Sequence, residues 1–172
     1  MAMYSAGVEY GIHCLLFLCD EKGDSREASV RNLAELQGVP PELLAKVFTR
    51  LAKAGLVAAT EGTRGGFRLA RPADEISVLD IVRAIDGDKR IFDCRGVRER
   101  CAVFDGCTPD WAVAGPCSIN AVMLEAQQRM EAALAQHTVL DLVRRVSRKT
   151  PPEFGEQVIR WMHDRRDGRS AD

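Results

Sequence analysis

Four cysteines lie close together in the second half of the chain and could hold a metal centre. They are Cys94, Cys101, Cys107 and Cys117, with the spacing C-x6-C-x5-C-x9-C. Thiolates ligate both iron-sulfur clusters and structural zinc, but a zinc site usually shows the paired C-x2-C spacing that this stretch lacks. The pattern therefore favours an iron-sulfur or thiol-based site over a zinc site.

Glu9 and His13 are the other candidate metal ligands. Because they are four residues apart on a predicted helix, they share one face and are within reach of a single bound group. Spacing alone favours an ordinary surface pair or a histidine in the core, so these alternatives stay open. Cys14 and Cys19 share the apolar side of the same helix and are interpreted as buried, inert thiols.

The first twenty residues contain an apolar run, but Glu9 and His13 interrupt it and no basic segment precedes it. Such a run is typical of neither a signal peptide nor a membrane span, so we expect a cytoplasmic protein without a membrane partner. Cysteines of a cytoplasmic protein serve metal binding or redox sensing more often than disulfides. An enzyme is not indicated, because no catalytic triad or phosphate-binding loop can be identified.

Helical periodicity and turn residues predict a helix-turn-helix in the first third of the 172 residues. The predicted helices cover residues 5–19, with Ser5 as the cap, residues 30–36, and residues 41–54. A good helix terminator, Gly55, follows the third helix.

Residues 56–60 and 67–70 read as two short strands around a glycine-rich turn, which predicts a β-hairpin. Helix, helix and hairpin is the order of a winged helix. We therefore expect a mainly α protein with a small β-hairpin, in which residues 1–86 form a winged helix-turn-helix domain that binds DNA.

Basic residues concentrate in the third helix and the hairpin. Between positions 40 and 72, six basic residues stand against two acidic ones, a local balance of +4 in a chain whose net charge is −1. In a winged helix this helix enters the major groove, and the hairpin reaches the neighbouring backbone or minor groove. A merely solvated charged face is the alternative, but the reversal of the global sign favours double-stranded operator DNA as the partner. The predicted DNA contacts are Lys46, Arg50, Lys53, Arg64 and Arg68.

A short apolar helix over residues 76–85, with Ser77 as its cap, follows the hairpin. Residues 87–117 then show neither helical nor strand periodicity and contain the four clustered cysteines. Irregular segments of this length inside a compact protein are usually functional or disordered. We therefore assign residues 87–117 as a loop that carries the candidate metal or thiol site.

A long helix is predicted from Ser118 to about residue 136, with an apolar stripe along one side. Such a stripe needs a partner, which predicts a homodimer. We assign residues 118–150 to this dimerisation helix and to a further helical stretch capped by Thr138. Residues 151–172 are predicted to form a C-terminal helix and a polar tail.

Four segments of the chain resemble the Rrf2 family of bacterial transcription regulators, of the IscR and NsrR type. They are GVEYGIHCLLFL near the start, LLAKVFTRLAKAGLV, the hairpin EGTRGGFRLARP, and EISVLDIVRAIDG before the cysteines. With the loop and the following helix, the resemblance covers roughly residues 3–147. It implies a winged-helix regulator without enzymatic activity, a dimer formed by the long helix, and an iron-sulfur cluster held by three cysteines of the loop.

The resemblance also implies which cysteines ligate the cluster. The last ligand of the family immediately precedes the dimerisation helix, which Cys117 does here. Because this chain has four cysteines where the family has three, the middle ligand stays open. We favour Cys94, Cys107 and Cys117, with Cys101 as the alternative, since Cys101 lies in a charged stretch typical of a solvated turn.

The GVExxxH pattern of the first helix resembles redox-responsive members in which Glu and His ligate a 2Fe-2S cluster. Glu9 and His13 are therefore predicted ligands, and a 4Fe-4S cluster is the alternative. The function predicted is a DNA-binding transcriptional regulator that senses redox state, nitric oxide or iron-sulfur status. The alternative is a thiol- or ligand-responsive regulator of the same fold without a cluster.

Overall fold

A computed structural model of the chain describes residues 2–60 and 65–166. Within those residues the protein is mainly helical, with one two-stranded antiparallel sheet. The chain divides into two compact units: one contains the residues up to Gly87 together with those from Leu134 onward, and the other is Asp88–Ala133. The prediction of a mainly α fold with a small β-hairpin is confirmed.

The first helix, α1, spans Ala6–Leu15 and continues as a 3-10 turn over Leu16–Leu18. The predicted extension of this helix to Cys19 is wrong, because Cys19 has extended backbone and pairs with Ser25. The carboxylate of Asp20 accepts hydrogen bonds from two backbone amides of the intervening bend. This local polar turn ends the helix although the apolar pattern continues.

The helix-turn-helix consists of α2, Val30–Gln37, and α3, Pro41–Lys53. The hydroxyl of Ser29 caps α2 by accepting the amide of Asn32 at 3.1 Å. Gly38 adopts the left-handed conformation, with φ of 63°, and ends the helix. The predicted pair of helices is therefore confirmed, and α3 occupies the position of the recognition helix.

The hairpin that follows consists of β1, Val57–Ala59, and β2, Phe67–Leu69, in antiparallel register. Ala28 adds a third extended segment, because it exchanges both backbone hydrogen bonds with Phe67, at 2.8 and 3.1 Å. A Cβ at Gly66 would lie 2.7 Å from the carbonyl oxygen of Ala28, so only glycine permits this close pairing. The tip of the hairpin, residues 61–64, lies outside the described residues.

Three more helices complete the larger unit. They are α4, Val78–Asp86, α7, Val139–Ser147, and α8, Pro152–Arg166. Ser77 and Thr138 cap α4 and α7 through reciprocal capping boxes, as the sequence predicted. Fully buried core residues of this unit include Leu15, Leu33, Leu44, Phe48, Leu51, Ile81 and Val139.

The smaller unit contains short 3-10 turns, the four-residue helix α5, Asp110–Val113, and most of α6, Ser118–Ala135. All of Asp88–Ala133 is described, and Ala112 is the one buried apolar residue in it. The large exposed apolar side chains of α6 are Ile119, Val122 and Leu124. Over the described part of the chain, no helix is long and apolar enough to cross a bilayer.

Candidate cysteine centre and nucleic-acid interface

Cys94 and Cys117 come together within the smaller unit. Cys117 immediately precedes α6, and its carbonyl oxygen accepts the amide of Ala121 at 2.9 Å. Hydrogen bonds from the backbone amides of Asn120 and Ile119 hold the pKa of the Cys117 thiol below its ordinary value. Desolvation opposes this shift, and a hydrogen bond from the Cys94 thiol makes a smaller contribution that lowers the pKa. Cys117 therefore lies at a helix N-terminus, where its thiol loses a proton more readily than that of an ordinary cysteine.

Arg98 supports the segment that leads into Cys117. Its Nη2 donates to the carbonyl oxygens of Val113, at 3.3 Å, and Gly115, at 2.9 Å. The positive charge of Arg98 also contributes to the lowered pKa of Cys117. One side chain thus fixes the backbone before the cysteine and favours its ionised form.

Cys101 and Cys107 are exposed, and the structure does not bring either of them to the pair. In residues 2–60 and 65–166, no three side chains of His, Cys, Asp or Glu gather in a way that could hold a metal ion. The pair of Cys94 and Cys117 fits the chemistry of a cluster, because thiolates are its ligands. The two thiols could supply part of a ligand set, and the ligand roles of Cys94, Cys107 and Cys117 all stay predictions.

Cys14 and Cys19 are buried, as the sequence indicated. Burial raises the pKa of the Cys14 thiol to about 12. Burial and the negative charge of Asp20 raise the pKa of Cys19 to about 11, although Arg26 opposes this shift. Both residues are therefore protonated thiols of low reactivity near neutral pH.

Glu9 and His13 are both exposed on one side of α1. Their position agrees with the predicted shared face but equally with an ordinary surface pair, so their role as ligands stays a prediction. The opposite side of α1 carries Gly7 and Gly11, which pack against α3 and α4. The sequence signal for this packing is the spacing G-x3-G, which the periodicity of the apolar residues does not reveal.

The basic residues predicted to contact DNA differ in their surroundings. Lys46 and Lys53 are exposed on α3, and Arg68 is exposed on β2. Nη1 of Arg50 donates a hydrogen bond to the carbonyl oxygen of Ile85 at 2.5 Å. Arg64 lies outside the described residues, so the structure adds nothing to its prediction.

Comparisons with known proteins agree with this architecture. The sequence profile of the Rrf2 family, described as an iron-dependent transcriptional regulator, matches residues 4–145. The transcriptional repressor NsrR of Streptomyces coelicolor is 31% identical over 135 residues, which are 78% of this chain and 84% of the repressor.

Solved structures show the same fold. CymR, the global cysteine regulator of B. subtilis, superposes with a TM-score of 0.64 at 19% identity, over 84% of this chain and 98% of CymR. IscR of T. potens superposes with a TM-score of 0.60 at 24% identity, over 87% of this chain and 92% of IscR. These likenesses establish the winged-helix fold for this chain.

Proposed function

The chain belongs to the Rrf2 family of transcriptional regulators, and from this premise we propose that an iron-sulfur cluster in the cysteine loop sets its affinity for operator DNA. A regulator of this family is a DNA-binding protein and not an enzyme. We propose that the active species is a cytoplasmic homodimer. Its proposed role is to sense redox state, nitric oxide or iron-sulfur status.

The observation that carries the proposal is the pairing of Cys94 with a Cys117 thiol whose pKa is lowered at the start of α6. A metal binds thiolate rather than thiol, so a cysteine that ionises readily is suited to ligation. When bound, a cluster supplies a charge that changes with its oxidation state and a centre that reacts with nitric oxide or oxygen. Arg98 and the amides of α6 orient one ligand for it.

Cys94, Cys107 and Cys117 are the proposed cysteine ligands, and Cys101 is the alternative to Cys107. Glu9 and His13 stay predicted ligands of a 2Fe-2S cluster. A histidine or carboxylate ligand shifts the potential of a cluster, which suits a redox sensor. A 4Fe-4S cluster is the alternative.

DNA binding is proposed to use α3 in the major groove and the hairpin beside it. Lys46, Lys53 and Arg68 support this proposal because their side chains are exposed on these two elements. Arg64, at the predicted tip of the hairpin, is proposed to enter the minor groove. The exposed apolar residues of α6 support the proposed dimer, since a stripe of this kind is usually covered.

A second candidate function is a thiol switch without a cluster. It is favoured by the same pair, because Cys94 already donates a hydrogen bond to Cys117. Hydrogen peroxide would take two electrons and two protons from the two thiols, leaving a disulfide and two molecules of water. The conversion would then alter operator binding as a cluster would.

Anaerobic purification, with assays of iron, sulfide and visible absorbance, separates the two candidates. A cluster protein contains iron and sulfide, loses both in Cys94→Ser and Cys117→Ser, and changes its operator affinity when the cluster is oxidised or removed. Serine at Cys101 and at Cys107 identifies the third ligand, because only one of the two variants should lose iron. A preparation without iron that loses operator binding in peroxide, and regains it in dithiothreitol, establishes the thiol switch instead.

A further inference from the structure

Three helices of the larger unit meet at the end of α4. α1 places Gly7 and Gly11 against Val47 of α3 and Ile85 of α4, and both of these side chains are buried. A methyl group at Gly11 would lie 2.5 Å from Cδ1 of Ile85 and 3.1 Å from Cγ1 of Val47. Because interiors packed this closely do not deform freely, a displacement of one helix must move its neighbours.

Arg50 adds a polar contact at the same junction. It lies one turn after Val47 on α3, and its Nη1 donates to the carbonyl oxygen of Ile85. Carbonyl groups in the last turn of a helix have no partner within the helix, so a guanidinium satisfies one of them. The recognition helix is therefore bonded to the last turn of α4.

Asp86, the next residue of α4, is hydrogen-bonded to Ser5 at the start of α1. The carboxylate of Asp86 accepts a hydrogen bond from the amide of Ser5 at 2.8 Å and another from its hydroxyl at 2.6 Å. α4 ends at Gly87, and the cysteine loop follows directly in the sequence. The end of α4 is thus held by α1 and by α3 immediately before the loop begins.

We propose that Arg50 is a positioning residue of the DNA switch, which fixes α3 to the end of α4 and transmits displacement of that end to the recognition helix. The proposal rests on the proposed function, because only a regulator whose loop changes state needs this link. It assigns Arg50 a role that the sequence did not predict, since the sequence indicated a contact with DNA.

The two roles of Arg50 differ in the free protein. A phosphate contact exists only in the complex with DNA, whereas the bond to Ile85 exists before DNA binds. Arg50→Met keeps most of the aliphatic stem and removes the donor and the charge. Lys46→Met removes one charge from the same helix and serves as the matched control.

Hydrogen exchange of the free protein is the first measurement. In Arg50→Met we expect the amides that close α4, including that of Gly87, to exchange about tenfold faster than in the unaltered protein. In Lys46→Met the same amides should be unchanged. Equal exchange in Arg50→Met and the unaltered protein would overturn the proposal.

The salt dependence of operator binding is the second measurement. Arg50→Met should weaken binding about tenfold without altering the dependence on salt concentration, because no phosphate contact is lost. Lys46→Met should reduce the slope of log K against log salt by about one. A slope reduced equally in Arg50→Met would make Arg50 a DNA contact and overturn the positioning role.

Gly11→Ala disturbs the junction without changing any charge. The atom it meets first, Cδ1 of Ile85, is the end of a flexible side chain and can shift, so the variant should still fold. Gly155→Ala is the control, because nothing lies within 4 Å of a methyl group there. The effects of Gly11→Ala and Arg50→Met on operator affinity should be non-additive in the double variant. Full additivity would contradict a shared junction.

The final comparison is the ratio of operator affinities with and without the cluster. We expect this ratio to be about tenfold in the unaltered protein and close to one in Arg50→Met. An unaltered ratio in the variant overturns the transmission role. If the unaltered protein binds the operator equally well with and without the cluster, the proposed function fails, and the transmission role fails with it. The exchange of the α4 amides then still decides whether Arg50 positions α3.

Discussion

The larger unit, which contains the winged helix, and the smaller unit, which contains the four clustered cysteines, are stabilised in different ways. The larger unit has an extensive apolar core, in which Phe48 is fully buried. The centroid of its ring lies 5.2 Å from that of Phe67. In Asp88–Ala133, which the structure describes throughout, Ala112 is the one buried apolar residue. Polar contacts such as those of Arg98 hold that segment instead. A segment of this size without its own core usually needs a bound group or a partner for stability, which the proposed cluster and the proposed dimer would supply.

The largest effect that tests this contrast is expected from an aromatic substitution in each unit. Phe48→Ala should lower the free energy of unfolding by about 3 to 5 kcal/mol, because it opens a cavity in the core. Trp111→Ala, at a side chain that is 73% exposed, should cost less than about 1 kcal/mol. Urea unfolding measures both. Equal costs would show that the smaller unit has a core of its own.

Binding of metal should act mainly on the smaller unit. We expect reconstitution with iron and sulfide to slow amide exchange in residues 88–133 by about tenfold or more, and to change the core of the larger unit little. Cys117→Ser should abolish the protection. If amide exchange in residues 88–133 is the same with and without iron, metal binding does not stabilise this segment.

The helix caps should have intermediate effects. Ser77→Ala and Thr138→Ala each remove a reciprocal capping box of the larger unit and should each cost about 1 kcal/mol of unfolding free energy. Thr49→Ala is the control, since its hydroxyl bonds only to a carbonyl of its own helix, that of Ala45, and its loss should cost close to nothing. Costs as small for the caps as for Thr49 would contradict their structural role.

The smallest effect is expected where α8 contacts α2. Arg165 donates to Glu35 at 2.7 Å and holds the pKa of that carboxyl below its ordinary value. The stabilisation is therefore present above the ordinary pKa of a glutamate and is lost as the pH falls through the lowered value. Because the pair is near the surface, Glu35→Gln should lower the melting temperature at pH 7 by less than about 2 °C. A difference between the two proteins that persists at a pH low enough to protonate Glu35 would exclude this ion pair as its cause.

Local signals in the sequence were sufficient for most of the fold. Ser77 and Thr138 cap their helices through neighbours three residues away, so the pattern contains the whole interaction. Ser5 occupies the N-cap position of α1, as the sequence predicted, but its side chain makes no cap hydrogen bond and its hydroxyl donates to Asp86 in α4 instead. The pairing of Ala28 with the hairpin was missed for the same reason, since its partner is distant in the sequence.

The candidate site was less predictable than the fold. Spacing identified the cysteine loop, but the proximity of Cys94 and Cys117 depends on the path of 22 intervening residues. The lowered pKa of Cys117 depends on two amides of α6, and the sequence predicted the start of that helix at Ser118 but not their hydrogen bonds to the thiol. The choice between Cys101 and Cys107 stays a prediction, because no periodic pattern constrains either residue.

Operator binding by the same preparation, before and after its cluster is removed under anaerobic conditions, tests the central claim most directly. A coupling between cluster and DNA predicts affinities that differ by about 5- to 150-fold, and a difference that disappears in Cys117→Ser. Identical affinities for the iron-loaded and iron-free protein, or an anaerobic preparation that contains no iron, would contradict the account.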